Sequence, residues 1–428
     1  MSEEIFFFRR EDTLSHEQDR YYQDLFYRVL KIGPELECGL PGGMQSNVFR
    51  AHLEKRLRPS RDLENLGELG IFDVVKEHCG VEMQVIGRHP QWNSLMEQYR
   101  QIIDILLEEK MRMRQTCGLH FHLIAVGLSE RIPQIILANL WNLVRKHAPG
   151  LKYLFSGGDV SSGMCRRRQH NAHQEFMEHA PVQKDMPQIQ ALLKQSQKVP
   201  EHQNFFNLEH MEFDEDGRIK TFHLEMRFPD GDLVPTSIVA KTFLFLALVL
   251  KSVELSKYGL IHTGRKGSWE RKKELLNRLS NNDGELARSD TSGIGDEEIR
   301  ELRQDATDLL LFLKSIFNKF TNPAYPVLKH LAERPISAYR IEGYGWRDIE
   351  RDLQGHVNYP MFVDDVDKVI IKHIELGLAR GQSSPDDWLG CVSAKSGVTK
   401  TEVKQRIDQY LERYPSWDGE EGSYVFGR

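Results

Sequence analysis

Three short segments of the chain carry ionisable residues in pairs separated by a single residue. Glu35 and Glu37 stand in Gly33-Pro-Glu-Leu-Glu, His120 and His122 in Cys117-Gly-Leu-His-Phe-His-Leu, and Glu225 and Arg227 in His223-Leu-Glu-Met-Arg-Phe-Pro. Side chains two residues apart on a strand project from the same face of a sheet. The residues between them, Leu36, Phe121 and Met226, are apolar. Each segment therefore reads as a strand with a core side and an ionisable side. Glu82, between Val81 and Met83, repeats the pattern with one acid. Charged residues are depleted in strands and costly to bury without partners. Such a face is washed by solvent, paired internally, or floored with metal ions, and the residue types leave all three open. For the third, several carboxylates with an imidazole suit Mg²⁺ or Mn²⁺ bound alongside phosphate oxygens. Arg227 beside Glu225 would offer those phosphates a planar cationic fork.

Each element has a plainer account when taken alone. A Glu-x-Glu is commonly a solvated strand face, a His-x-His also serves zinc or a structural network, and a Glu-x-Arg commonly forms a cross-strand ion pair. Three such pairs in one chain, all on strand-like segments, point to a metal–phosphate site on a sheet.

The elements that must position these residues alternate along the chain. Strand signals cover residues 32–40, opened by Gly33-Pro34 and followed by the turn Pro41-Gly42-Gly43, and residues 80–87, where Val81, Met83 and Val85 alternate with polar residues. Residues 19–31 could form a helix leading into the first strand, and residues 92–114 have helical spacing, with Leu95, Met96, Ile102, Ile103, Leu106 and Leu107 on one side. A strand over 117–126 precedes a helix N-capped by Ser129 and closed near His147 by Pro149-Gly150. Residues 156–170 read as a loop rich in glycine and arginine. Strands follow at 205–208 and 220–228, with a turn at 214–217 before the second, and Pro235-Thr236-Ser237 starts an apolar helix that ends near Tyr258. Strands alternating with helices, together with antiparallel pairs, argue for a mixed α/β or an α+β sheet domain.

Composition sets the class. The chain has 428 residues, 40% hydrophobic and 28% charged, with a formal net charge of -6. That charge gives no global attraction to nucleic acid or to an anionic membrane. The longest apolar segment, residues 238–250, contains Lys241 and falls short of the ~20 residues of a membrane span. The apolar run at residues 5–8, behind two acids, is too short for a secretory signal. Five cysteines without CxxC spacing match neither a zinc ribbon nor a disulfide framework. The expectation is a cytoplasmic protein with no membrane partner.

The chain divides by character into residues 1–262, a polar linker or insertion at 263–297, and a mainly helical region at 298–428 whose clearest amphipathic segment is 297–320. Residues 387–414 could form a helix-turn-helix-like module. Its second helix, capped by Thr399, would bury Val403, Ile407 and Leu411. Its outer face mixes Lys400, Lys404 and Arg406 with Glu402, Asp408 and Glu412, which suits a protein contact better than DNA.

The three pairs also resemble a known family. Gly33-Pro-Glu-Leu-Glu is similar to the first-strand Glu-x-Glu of glutamine synthetases, Gly118-Leu-His-Phe-His to their Gly-x-His-x-His, and Leu224-Glu-Met-Arg-Phe-Pro-Asp to their Glu-x-Arg-Phe-Pro-Asp strand. The order along the chain is the same. Cys-Gly-Leu-His-Phe-His, followed by Glu-x-Arg and an apolar helix, resembles the shorter amidoligase branch of that superfamily, as does Asn207-Leu208. The resemblance spans residues 31–258. It implies a mostly antiparallel sheet forming an open funnel, with ATP entering one end and Mg²⁺ (or Mn²⁺) at its waist. Carried over by position, Glu35, Glu37, Glu82, His120 and Glu225 would hold the metals. Arg227, with Glu225, would serve catalysis at the transferred phosphate, and His122 would face the nucleotide. Arg166-Arg167-Arg168 lies where the family places phosphate- or substrate-binding arginines, so Arg166 and Arg168 join the nucleotide set; three adjacent arginines also read as an exposed basic loop.

The implied reaction joins a carboxylate to an amine through an acyl phosphate made from ATP. The partners would be a small-molecule or peptide carboxylate and an amine, with the C-terminal helices available to a protein partner. Most ammonia-site segments of the larger enzymes are absent from the sequence, which argues against glutamine formation itself. Two other classes stay open: a metal-dependent hydrolase built on His120, His122 and the acids, although no HExxH is present, and a non-catalytic binding module that docks protein or DNA through its C-terminus.

Overall fold

In a computed structural model of the chain the described residues are 5–8, 22, 31–42, 44–57, 71–77, 80–85, 92–113, 117–125, 132–157, 206–207, 210–215, 218–227, 229–257, 260–263, 296–320, 323–357, 389, 393 and 399–405. Arg166 and Arg168 lie outside them, as do most of the 19–31 helix, of the 156–170 loop, of the 263–297 linker and of the 387–414 module.

The centre is an antiparallel sheet of seven strands. Along the chain these are β2 (Lys31–Cys38), β3 (Ile71–Glu77), β4 (Gly80–Val85), β5 (Leu119–Ala125), β6 (Phe206–Asn207), β7 (Glu212–Phe213) and β8 (Ile219–Met226). Their spatial order is β3-β4-β2-β5-β8-β6, with β7 also paired to β8. The strands read from alternation are therefore present, joined by β3 and β7. At the ends of the turn expected at 214–217, of which residues 216 and 217 lie outside the described residues, Asp214 N–H donates to the Arg218 carbonyl and Arg218 N–H to Asp214 Oδ1 at 2.8 Å. A second, two-stranded ribbon pairs β1 (Ile5–Phe8) with β9 (Leu260–Thr263).

Proline is disfavoured inside a sheet because it lacks an N–H donor. Pro34 of β2 is tolerated one residue before the pairing with β4 begins, at Glu35↔Gln84. Gly80 opens β4 at φ 148°, and a Cβ there would meet the Cys38 carbonyl oxygen at 2.5 Å. Only glycine lets the two strands close up at this point, two residues from Glu82.

The helices are α1 (Ser46–Leu57), α2 (Trp92–Glu108), α3 (Gln134–Lys146), α4 (Ala148–Leu154), α5 (Pro235–Lys257), α6 (Asp296–Phe320), α7 (Ala324–Glu333), α8 (Ile336–Ile341) and α9 (Trp346–His356). The architecture is α+β, as expected. The expected stop at Pro149-Gly150 is a start instead: proline fits the first turn of a helix, where its missing N–H has no partner to lose. The result is the short helix α4, with Pro149 in its opening turn. Helix 92–114 ends six residues early, at Glu108; the cap expected at Ser129 lies outside the described residues, and the helix after it runs from Gln134.

Helix α5 explains its own composition. It is apolar on every side because α2, α3, α6, α7 and α9 all pack around it, and residues 238–250 are fully or almost fully buried. Among the described residues no helix is long and apolar enough to cross a membrane. The one lysine in this run, Lys241, is also buried and meets buried Asp232 at 2.6 Å. Phe245 of α5 contacts Phe121 of β5 at 4.8 Å between ring centres. Because Phe121 alternates with His120 and His122, the helical layer covers the apolar face of the sheet and the ionisable residues occupy the other.

Candidate active site

Strand register sets the site. Glu35 lies opposite His120, Glu37 opposite Glu82, His122 opposite both Gly33 and Glu225, and Glu225 opposite Asn207. Five adjacent strands thus bring the ionisable pairs onto one face. Glu37, Glu82, His120 and Glu225 are buried, and Glu35, His122 and Arg227 are partly buried.

His120 is the hub. Its Nδ1 lies 3.2 Å from Glu35 Oε2 and 3.3 Å from Glu225 Oε1, and its Nε2 lies 3.4 Å from Glu37 Oε1. His122 Nε2 lies 3.0 Å from the other Glu35 oxygen. Arg227, just beyond the end of β8, sends one Nη1 to both oxygens of Glu225, at 2.9 and 3.1 Å. Asn207 Nδ2 donates to Glu225 Oε2 at 3.0 Å, so the carboxylate is held from two strands.

The carboxyls do not titrate alike. Burial opposes ionisation of Glu225, but His120 and then Arg227 outweigh it and hold its pKa at about 2. Burial is likewise outweighed at Glu35, where His120 and His122 hold the group well below the usual carboxylate range. Glu82 goes the other way: burial, then the negative charge of Glu35, push it up to about 7, against a hydrogen bond from Gln84. Glu82 sits directly across from Glu37, a like-charge pairing that destabilises a sheet unless something positive compensates it.

A histidine chain extends from this cluster. His122 Nδ1 is 3.0 Å from His223 Nε2, and the His223 ring stacks on His210 at 4.8 Å. Burial disfavours a protonated His122, but Glu35 and then Glu225 raise its pKa above the ordinary value. Burial and the neighbouring His122 charge press His223 down to about 4. The shared contact and the opposite shifts make His122 and His223 an unequal pair, with the more readily protonated ring nearest the carboxylates.

Two overlapping groups have the composition and spacing of cation sites. They are Glu35, Glu82 and His120, and Glu35, His122 and Glu225, each with one ligand atom per residue within 4.8 Å of the others. Glu35 is common to both. Mostly oxygen donors with imidazole, and two buried carboxylates facing one another, fit divalent cations such as Mg²⁺ or Mn²⁺. His122, expected toward a nucleotide, stands within one of these groups. His223, Gln84 and His210 were not singled out from the sequence. His223 and Gln84 lie two residues from Glu225 and Glu82, the spacing that marked the other pairs. His210 carried no such signal, arriving from the connection between β6 and β7.

No protein-family model matches the chain, and no characterised protein matches it in sequence. Among solved structures, the crystal structure of the complex between prokaryotic ubiquitin-like protein Pup and its ligase PafA is similar over 83% of this chain and 71% of that chain, at 13% identity and a TM-score of 0.38.

Proposed function

We propose that the chain is an ATP-dependent carboxylate–amine ligase of the amidoligase kind, with residues 1–262 as its catalytic unit. The observation that carries the reading is the register of β4, β2, β5 and β8. Glu82, the two Glu35/Glu37 oxygen donors, His120, His122, Glu225 and Arg227 meet on one sheet face, in the motif order that resembles the family.

Glu35, Glu37, Glu82, His120 and Glu225 would hold Mg²⁺ (or Mn²⁺), which when bound would supply positive charge against the phosphates of ATP. The chain's own groups do the rest. Arg227 offers its guanidinium to the negative charge that builds on the transferred phosphoryl group. Glu225 fixes its direction through the contacts at 2.9 and 3.1 Å, and Asn207 fixes Glu225. His122 faces the nucleotide, and Arg166 and Arg168 bind phosphate or substrate from the segment before β6. The substrate carboxylate attacks the γ-phosphorus of ATP, the bond from that phosphorus to the β,γ-bridging oxygen breaks and ADP leaves; an amine then attacks the acyl phosphate, expels inorganic phosphate and gives up a proton to leave an amide. Holding both substrates in place and keeping water from the acyl phosphate are the site's main tasks. The carboxylate belongs to a small molecule or peptide, and the C-terminal helices at 298–428, with the 387–414 module, dock a protein partner in the cytoplasm.

The test is calorimetric binding of a non-hydrolysable ATP analogue with Mg²⁺ or Mn²⁺ to the wild type and to Glu225→Ala. Metal-dependent binding that the substitution weakens at least tenfold supports the ligase. A folded wild type that binds no nucleotide, but hydrolyses esters or amides with added metal, replaces it with the hydrolase built on the same residues.

A further inference from the structure

Away from the sheet, two histidines and a carboxylate meet where α7 packs against α9. Asp352 and His356 are four residues apart on α9, one helical turn, and so share a face. His330, in the last turn of α7, faces them. One ligand atom from each of the three lies within 4.8 Å of the others. The His330 and His356 rings stack with centres 3.7 Å apart and planes 18° from parallel. His330 Nε2 is 3.5 Å from Asp352 Oδ2. Tyr339 of α8 completes the arrangement: its hydroxyl lies 2.6 Å from His330 Nε2 and donates to Asp352 Oδ2.

We propose that His330, Asp352 and His356 bind a zinc ion. Two imidazoles and one carboxylate are a nitrogen-rich set, which favours Zn²⁺ over Mg²⁺ and so differs in kind from the oxygen-rich sheet site. Ligand atoms around a tetrahedral zinc stand ~3.3 Å apart, given Zn–N and Zn–O bonds of ~2.0–2.2 Å. Because the two imidazoles stack nearly parallel, one ring must turn out of the stack before both point a nitrogen at the same ion. Tyr339 supplies the outer hydrogen bond that orients a ligating carboxylate. Asp352, 44% exposed at its side chain, gives the ion its path of entry and leaves the fourth position to water. The ion would clip α7 to α9. Both helices pack on α5, so the clip would fix the C-terminal helices on the body of the protein.

The full-length chain, stripped with a chelator, is titrated with Zn²⁺ alone, and the metal retained after gel filtration is counted for wild type, His356→Ala, Asp352→Asn and Glu225→Ala. Circular dichroism of the metal-free proteins controls for folding. The expected result is one zinc equivalent that His356→Ala loses, Asp352→Asn holds at least tenfold more weakly, and Glu225→Ala retains. Co²⁺ in the same position should give the visible absorption of a four-coordinate nitrogen–oxygen site, absent from His356→Ala. Equal zinc retention by wild type, His356→Ala and Asp352→Asn overturns the proposal and leaves a stacked histidine pair in a hydrogen-bond network. Loss of the equivalent in Glu225→Ala alone assigns the zinc to the sheet and overturns it equally.

Discussion

Glu350 of α9 accepts two hydrogen bonds from Thr236 at the start of α5, one from the backbone N–H at 2.9 Å and one from the hydroxyl at 2.8 Å. The first turn of a helix has N–H groups without helical partners, and here one is satisfied by a carboxylate from another helix. The same device recurs at α4, where Asp305 of α6 accepts from Gly150 N–H at 2.9 Å and faces His147 at 3.2 Å. Two helices of the 298–428 region thus cap two helices that lie earlier in the chain.

Glu350→Ala should therefore cost ~0.5–2 kcal/mol, the usual range for a lost cap, read from urea unfolding followed by circular dichroism. The pH response has a definite sign. Burial raises the Glu350 pKa above the ordinary 4.5, against the Thr236 and Gln354 hydrogen bonds and the charge of Arg100. The folded chain then holds this proton longer than the unfolded chain. Its contribution is fully present below 4.5 and is lost as pH rises through the window above that value. Wild-type stability should fall relative to Glu350→Gln across that window, by ~1.4 kcal/mol for each tenfold gain in proton affinity on folding. A constant difference between the two curves would count against a raised pKa.

The opposition of Glu37 and Glu82 predicts a trade between stability and metal binding. Both are buried and directly paired across β2 and β4. Glu82→Gln removes one of two facing charges, so the metal-free variant at pH 8 should exceed wild type in stability by ~1–3 kcal/mol. Added Mn²⁺ should raise the wild-type melting temperature more than that of the variant, because only the wild type keeps the full donor set. Thermal melts with and without Mn²⁺ measure both effects; a variant less stable than wild type without metal would refute the repulsion argument.

The site was legible because its strands alternate ionisable and apolar residues, a pattern that survives without any knowledge of the neighbours. Leu36, Phe121 and Met226 declared which face was core, and all three are buried. Which residue faces which was not legible: parity fixes the face, whereas the pairing of Glu37 with Glu82 depends on how strands slide past one another. His210 escaped because it reaches His223 from outside any periodic segment. The β1–β9 ribbon escaped because a four-residue run specifies no partner when that partner lies far along the chain. The packing of the C-terminal helices on α5 was hidden for another reason. Their apolar faces announce burial, but not against what. Thr399 was readable, since a threonine before a helical run is a local cap signal, and its Oγ1 accepts from Glu402 N–H at 3.2 Å.

The buried pair Lys241–Asp232 predicts an asymmetric mutational response. Both side chains are fully buried, and Asp232 also accepts from Val234 N–H and Ser237 Oγ at the start of α5. Lys241→Met strands a buried carboxylate and should cost ~3–5 kcal/mol. Asp232→Asn combined with Lys241→Met removes both charges while keeping an acceptor for Val234, and should recover at least half of that loss. Equilibrium unfolding of the three variants measures this; a double variant no more stable than Lys241→Met would show that lost packing, rather than the stranded charge, sets the cost.

Gly150 tests how tightly α6 is seated on α4. A Cβ at this position would lie 2.4 Å from the Ala306 backbone nitrogen and 2.7 Å from the Asp305 carbonyl carbon. Backbone cannot turn aside as a flexible side chain can, so Gly150→Ala must push the two helices apart. The separation would also lengthen the hydrogen bond from Gly150 N–H to Asp305 that caps α4. Overpacking of this kind costs ~1–3 kcal/mol. An alanine normally stabilises a helix relative to glycine by up to ~1 kcal/mol, so propensity alone predicts the opposite sign. Urea unfolding of Gly150→Ala decides between the two: destabilisation means the close approach dominates, and stabilisation means that α6 can shift at little cost.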